Sequence, residues 1–377
     1  MCGIAGLFDT RGKQRFATEL ITRINNIQAH RGPDELGLHQ EPGLAFGHRR
    51  LSVIDVSTGQ QPLFNEDQSV VIVFNGEIYN YQELVPELKA LGHVFHTRSD
   101  TEVIIHAWEA WGEACVLRLR GMFAFAIWDR NQQTLFLARD RLGVKPMHYA
   151  LLADGSFVFG SELKVITAHP GFDRAVDPLA VEEYFALGYV ADPRCIYRGA
   201  HKLTPGHTLT LRHGQPMPPS KPYWDVHFSL NNPISSQDAQ AELLARLQES
   251  VRLRMIAEVP LGACLSGGVD RSAVVATFLG GANLLPDRSG AGLRLLRPER
   301  LRLRATPPQA GELGLRARVR ELAFQGATVE VRLCGAADLP LIAIDTSADL
   351  PDNLRIGAEI WCCWNPADSH LLEASLS

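Results

Sequence analysis

Apolar runs of strand length recur through the first 170 residues: Ile4–Phe8, Leu44–Phe46, Val70–Phe74, Phe123–Trp128, Thr134–Ala138 and Phe157–Phe159. Gly, Asn and Asp separate them, as turn residues separate strands. Asp129-Arg130-Asn131-Gln132 lies between two of the runs and predicts a hairpin connection. Two stretches change period. Phe16 to about Gln28 predicts a helix, and Ser99-Asp100-Thr101-Glu102 opens a second one over Val103–Trp111, with Ser99 and Glu102 spaced as a capping box. Many strands with a few interspersed helices predict an α+β class, stacked antiparallel sheets with helices outside.

Residues 171–235 are rich in Pro and Gly and predict a connector with short elements. From Ser236 to Arg254, Leu243, Leu244, Leu247 and Val251 fall on one helix face. Glu258–Leu265 then predicts a short buried strand that runs into Ser266-Gly267-Gly268-Val269-Asp270, with a helix opening at Ser272–Phe278. Beyond Phe278 the texture changes. Lysine is absent after Lys221, Gly280–Gly292 is loop-like, and Thr328–Leu333 alternates as a half-buried strand does. Leu339–Ile344 and Glu359–Trp364 are further strand candidates. The expected division is a domain over 2–170, a connector over 171–235, the start of an α/β domain over 236–278, and a small β tail over 279–377.

Composition narrows the function. A chain of 377 residues predicts two or three domains, and 46 % hydrophobic with 21 % charged residues predicts globular folding. The net charge of −5 supplies no field that would draw nucleic acid or an anionic membrane. Seven cysteines, at 2, 115, 195, 264, 334, 362 and 363, form no CxxC pair and no zinc spacing. No apolar stretch of about 20 residues is present to span a bilayer, and Met1–Gly6 lacks the basic and apolar regions of a signal peptide. A reducing cytoplasm is the expected compartment.

Candidate chemistry begins at Cys2. Removal of Met1 would leave an α-amine and a thiol on one residue. An α-amine ordinarily titrates at about pH 7.7–8.0, so it can serve as base toward its own thiol. A cysteine in second place is by itself also a chance event. Its neighbours are His30-Arg31-Gly32-Pro33-Asp34, Gly47-His48-Arg49-Arg50-Leu51-Ser52-Val53-Ile54-Asp55, Phe74-Asn75-Gly76-Glu77-Ile78-Tyr79-Asn80 and Ser99-Asp100-Thr101-Glu102. Singly these have ordinary readings: Asn75-Gly76 a tight turn, Arg50 a surface charge, Asp100 part of a helix N-terminus. His30, His48, His96 and His106 show no metal spacing such as HExxH, so packing roles and no metal are expected.

The ordered set resembles the class II glutamine amidotransferases, the N-terminal-nucleophile glutaminases, over about residues 2–170. The resemblance implies an αββα sandwich with three groups of site residues. Cys2 would attack the glutamine side-chain amide and form a thioester. Asn75, through its side-chain NH₂, and Gly76, through its backbone N–H, would form the oxyanion hole. Arg50 would take the α-carboxylate, and Glu77 and Asp100 the α-ammonium. Ammonia leaves, water clears the thioester, and this step needs no cofactor.

Leu265-Ser266-Gly267-Gly268-Val269-Asp270-Arg271-Ser272 resembles the pyrophosphatase-type loop SGGxDSS, whose backbone N–H groups and helix N-terminus make an anion nest. A glutaminase joined to this loop is similar to the asparagine synthetase family. So are Asp140–Pro146, Gly160–Lys164, Tyr184–Val190 and Leu203–His207, which extends the resemblance to about residue 278. It implies ATP held by Leu265, Ser266, Gly267, Gly268, Asp270 and Ser272, with Mg²⁺, and an acceptor carboxylate such as aspartate beside L-glutamine. A homodimer is an allowed assembly. Two departures stand out: Arg271 replaces a serine, and the α/β pattern stops after one strand, loop and partial helix, an incomplete synthetase half. Leu296–Leu303, Val319–Gly326 and Trp361–Leu372 resemble a TOBE domain of ABC-transporter ATPase subunits, a small β-barrel-like unit, although no Walker A motif precedes it. The competing expectation is a non-enzymatic regulatory or interaction protein, or a rearranged remnant, with an idle glutaminase domain.

Overall fold

The computed structural model describes residues 1–12, 14–228, 234–259, 283–286, 292–325, 328–336, 339–346, 350–351 and 353–373. Two compact units result, Met1–Asn232 with Ile256–Val259, and Pro233–Met255 with Pro260–Ser377.

In the first unit the strands are β1 (Gly3–Asp9), β2 (Glu35–Glu41), β3 (Leu44–Arg50), β4 (Leu63–Phe64), β5 (Val70–Ile78), β6 (Gly121–Asp129), β7 (Thr134–Arg139), β8 (His148–Leu151), β9 (Ser156–Gly160), β10 (His201–Lys202), β11 (His207–Arg212) and β12 (Lys221–Pro222). They form two six-stranded sheets, in the orders β10-β8-β9-β1-β3-β2 and β12-β11-β7-β6-β5-β4. The helices are α1 (Thr18–Asn26), α2 (Tyr81–Ala90), α3 (Asp100–Trp111), α4 (Cys115–Arg118), α5 (Leu163–Thr167) and α6 (Pro178–Leu187).

Side-chain alternation assigns the layers. Ile4, Phe8, Phe46, Phe157 and Phe159 of one sheet pack against Val71, Val73, Ala126, Trp128 and Leu137 of the other, making a core between the sheets. The opposite residues of the first sheet, Ala5, Leu7, Ala45 and Val158, pack on Ile21 and Ile24 of α1 and on Val165 and Ile166. Those of the second, Ile72, Phe74, Phe125 and Phe136, pack on Leu84 and Leu88 of α2 and on Val103, Ile104 and Trp108 of α3. The order helix, sheet, sheet, helix is an αββα sandwich of α+β class. Because each sheet is covered on both faces, its central strands carry continuous apolar runs rather than alternating ones, and all seven residues of β1 are buried. Phe159 is fully buried between the sheets and meets the Phe46 ring edge-on at 5.9 Å. Phe159→Ala is expected to cost about 3–5 kcal/mol, read as a lowered urea midpoint at unchanged slope.

Three local expectations change. Tyr81–Ala90 is helical although Pro86 lies inside it; burial of Tyr81, Leu84 and Leu88 outweighs one missing backbone donor. The capping box is half formed. The Ser99 hydroxyl accepts from the Thr101 N–H, but Glu102 turns back to accept from His96 and Thr97. Residues 171–235 also do more than connect: β10 joins the first sheet at β8, while β11 and β12 extend the second at β7.

In the second unit a helix α7 covers Ser236–Leu253, capped by the Ser235 hydroxyl. The tail holds β13 (Asn283–Pro286), β14 (Gly292–Leu296), β15 (Arg302–Arg304), β16 (Leu313–Gln325), β17 (Thr328–Cys334), β18 (Pro340–Thr346), β19 (Glu359–Trp364) and β20 (Ser369–Glu373). These form sheets of order β13-β14-β20 and β15-β19-β16-β17-β18 around a core that includes Leu285, Leu303, Val319, Val331, Leu341 and Ile360. The loop expected over Gly280–Gly292 contains β13. Its Asn283 side chain exchanges two hydrogen bonds with the Ile342 backbone, at 2.7 and 2.6 Å, a partner invisible to local pattern. No helix among the described residues is long and apolar enough to cross a membrane.

Candidate active site

Cys2 precedes β1, Arg50 ends β3, Asn75, Gly76 and Glu77 sit in β5, and Asp100 starts α3. The first two therefore come from one sheet and the rest from the other sheet and its covering helix. All six line a single cavity of about 360 Å³. His48 fixes the seam: fully buried on β3, it meets the Phe74 carbonyl of β5 at 3.0 Å through Nε2. Burial pushes its pKa down to about 4, so the imidazole is neutral and Nε2–H donates. The residue after Phe74 is Asn75.

The Cys2 sulfur lies 3.5 Å from the Leu51 N–H and 3.7 Å from its carbonyl. The Cys2 carbonyl accepts from Arg31 at 3.0 Å, which anchors the chain entering β1. Burial raises the thiol pKa above its ordinary value, against lowering by the Leu51 backbone. The resting sulfur is thus a thiol, and its use as a nucleophile requires a base. Burial likewise lowers the pKa of the Met1 α-amine, the terminal amine while Met1 is in place.

Asn75 is 1 % exposed, and neither its amide nitrogen nor its amide oxygen has a hydrogen-bond partner. A buried amide left unpaired costs about 1–3 kcal/mol, so its place on the cavity wall points to a ligand group that completes it. Gly76 admits no side chain: a Cβ there would lie 2.2 Å from the Met122 carbonyl oxygen and 2.8 Å from the Phe123 Cα.

Arg50 is nearly buried. Its guanidinium pairs with Glu35 at 3.1 Å and donates to the carbonyls of Ile54, Asp55 and Val56. A cation held on that side presents a fixed charge to the cavity. Glu258 reinforces the same loop, donating its N–H to the Val53 carbonyl and accepting from Val56 N–H at 3.0 Å. Asp100 is buried and accepts from the Ile78 N–H at 2.8 Å. Burial, aided by the neighbouring Glu77 charge, pushes its pKa up to about 7.

Sequence reasoning passed over Lys145 as a site residue. It lines the cavity, and burial lowers its pKa, against raising by Glu77 and Cys2. The loop that presents it is wound on Asp140, whose carboxylate accepts from the N–H groups of Phe123, Leu142, Val144 and Lys145. The Asp140–Pro146 motif was the available signal. Leu265, Ser266, Gly267, Gly268, Asp270 and Ser272, expected to hold ATP, lie outside the described residues.

Among known families, that of a glutamine amidotransferase domain matches residues 1–224. The chain belongs to that family. Within it, the match reaches past residue 170 and takes in β10 to β12. Asparagine synthase matches residues 242–281 and a TOBE domain residues 295–372. Asparagine synthetase [glutamine-hydrolyzing] 3 of Bacillus subtilis (strain 168) is 39 % identical over 289 residues, covering 74 % of this chain and 45 % of its own length. Asparagine synthetase [glutamine-hydrolyzing] 1 of the same organism is 38 % identical over 280 residues, 73 % of this chain and 43 % of its own. The chain therefore spans less than half the length of these curated relatives. A solved structure of glutamine phosphoribosylpyrophosphate amidotransferase from B. subtilis aligns over 76 % of this chain and 67 % of that one, at 18 % identity and a TM-score of 0.43, too weak a likeness to add to the assignment.

Proposed function

We propose that the cavity hydrolyses L-glutamine to glutamate and ammonia, with Cys2 as nucleophile. The observation that carries this is the convergence of six residues from two sheets and a helix on one cavity, with a half-buried thiol and an unpaired buried amide in its wall. In this reading Met1 is removed and the Cys2 α-amine takes the thiol proton. The sulfur then attacks the amide carbon. Asn75 Nδ2 and the Gly76 N–H donate to the oxyanion, and Arg50 receives the α-carboxylate. Glu77 and Asp100 receive the α-ammonium. The amine returns its proton to the departing ammonia, and water hydrolyses the thioester.

The finer reading is that this ammonia goes to a carboxylate acceptor, aspartate in the relatives' namesake reaction. ATP, with Mg²⁺, would bind at Leu265–Ser272 and activate that acceptor. It is supported by the match of the asparagine synthase family to residues 242–281 and by the names of the relatives. Formation of AMP and pyrophosphate dependent on aspartate and glutamine tests it.

The glutaminase reading is tested by treating the full chain with a glutamine-analogue electrophile, followed by mass spectrometry. One adduct on an N-terminal Cys2, blocked by glutamine, is expected. A folded chain that has lost Met1 and takes no adduct overturns the reading.

Asp100 sets a pH dependence. Ammonium recognition uses the carboxylate, so glutamine binding to Cys2→Ala should weaken as pH falls below about 7. Calorimetric titration across pH checks this, and Asp100→Asn should bind weakly with no such slope. The folded-state pKa lies above the usual 3.8, so the charged form opposes folding and stability falls as pH rises from 3.8 toward 7. Asp100→Asn should therefore melt at a higher temperature than the parent at pH 8.

A further inference from the structure

On the outer side of the second sheet, apart from the glutamine cavity, four side chains from three segments converge. Glu66 comes from the turn between β4 and β5, His93 from the loop after α2, and His106 and Glu109 from α3. One donor atom from each lies within 4.8 Å of all the others. We propose that Glu66, His93, His106 and Glu109 bind a divalent transition-metal ion of the zinc type, as a structural centre of the glutaminase unit.

The spacing fits. Tetrahedral bonds of about 2.0–2.2 Å to nitrogen and oxygen set donor atoms about 3.3–3.6 Å apart. His106 Nδ1 is 3.0 Å from Glu109 Oε2 and 3.7 Å from Glu66 Oε2. His93 Nδ1 is 3.7 Å from Glu66 Oε1 and 3.7 Å from Glu109 Oε2. The donors lie at most 4.8 Å apart, so an ion at the centre draws the widest pair in by about an ångström. Two carboxylates and two neutral imidazoles around a divalent cation sum to zero charge, and imidazole nitrogen selects zinc-like ions over magnesium or calcium.

The surroundings orient the donors as outer groups do at metal centres. Asn65 Nδ2 donates to Glu109 Oε1 at 2.7 Å, leaving Oε2 toward the centre. The Val94 N–H donates to Glu66 Oε1 at 2.7 Å. Behind His106, the buried Nε2 has no hydrogen-bond partner, and Glu102 Oε1 lies 3.7 Å from it. Glu102 is itself fixed by the His96 and Thr97 N–H groups, each at 2.7 Å. Four protein donors close the coordination shell, which is the structural rather than the catalytic pattern. The ion would tie the Glu66 turn and the His93 loop to α3, whose first residue, Asp100, lines the glutamine cavity.

His106 and Glu109 are one helical turn apart, and the other two donors lie 13 and 40 residues upstream of His106. Only the fold assembles the set.

The full chain, stripped with a chelator, is titrated with Co²⁺ and with Zn²⁺. One equivalent should bind. Cobalt should show the intense visible bands of a tetrahedral ion without thiolate-to-metal charge transfer, and Zn²⁺ should raise the melting temperature. His93→Ala and Glu66→Gln should each abolish stoichiometric uptake with unchanged circular dichroism. Glu102→Gln should weaken it roughly 10–100-fold. Glu66 sits in an exposed turn, so its variant remains informative if His93→Ala misfolds. Absence of uptake by the parent chain, uptake that persists in Glu66→Gln, or a thiolate charge-transfer band each overturns the proposal.

Discussion

Cys2→Ala is expected to leave no measurable glutamine hydrolysis while the chain still folds and still binds glutamine. The reaction routes through a covalent thioester, so removing the sulfur removes the path rather than slowing one step. Nothing in the fold depends on the thiol beyond its two weak contacts to the Leu51 backbone. Release of ammonia from glutamine, measured against an unchanged melting curve, is the check. Retention of parent-like turnover by the folded variant would remove Cys2 from the mechanism. Cys2→Ser is the sharper companion: burial already disfavours the ionised thiol, and a hydroxyl is a far weaker acid, so it should bind glutamine normally and turn over only marginally.

Asn75→Ala should lower kcat by about 10²–10³-fold, the loss typical when one oxyanion donor is removed. KM for glutamine should move much less, because the amide meets the oxygen mainly as charge develops on it. Stability should respond in the opposite sense. Both polar atoms of the Asn75 amide are buried without partners, so the substitution removes an unpaired buried group and breaks no hydrogen bond. A variant with crippled kcat and an unchanged or raised melting temperature supports the assignment. A parallel loss of kcat and stability would mean that Asn75 holds the strand rather than the transition state. Gly76 offers no equivalent test, since a Cβ at 2.2 Å from the Met122 oxygen displaces β5 against β6.

The contrast between these sites and the proposed metal centre shows what local pattern can carry. Cys2, Asn75 and Asp100 were legible because each lies in a short ordered motif whose neighbours share its chemistry. Glu66 and His93 were not, because neither has a periodic or motif context. Lys145 falls between, since its loop was recognisable but nothing local aims its side chain at the cavity.

Helix α2 was missed for the opposite reason. Pro86 is a strong local signal against a helix, and the sandwich overrides it by burying Tyr81, Leu84 and Leu88. Strands β10 and β12 are two residues each, too short for alternation to register, and they exist only as extensions of strands already in place. The Glu102 carboxylate likewise had a plausible local partner in the Ser99 N–H. It bonds instead to two backbone groups of the loop before α3.

The primary structure alone was enough for the α+β class, the long central strands, the family and the choice of candidate site residues. Those depend on apolar runs and on motifs contiguous in the chain. Folding decided the rest: which strands meet, that β1, β3 and β5 bring thiol, guanidinium and amide to one cavity, and that two glutamates and two histidines share a point in space. Such juxtapositions join residues tens of positions apart, and their energies come from burial and pairing that exist only once both sheets are packed.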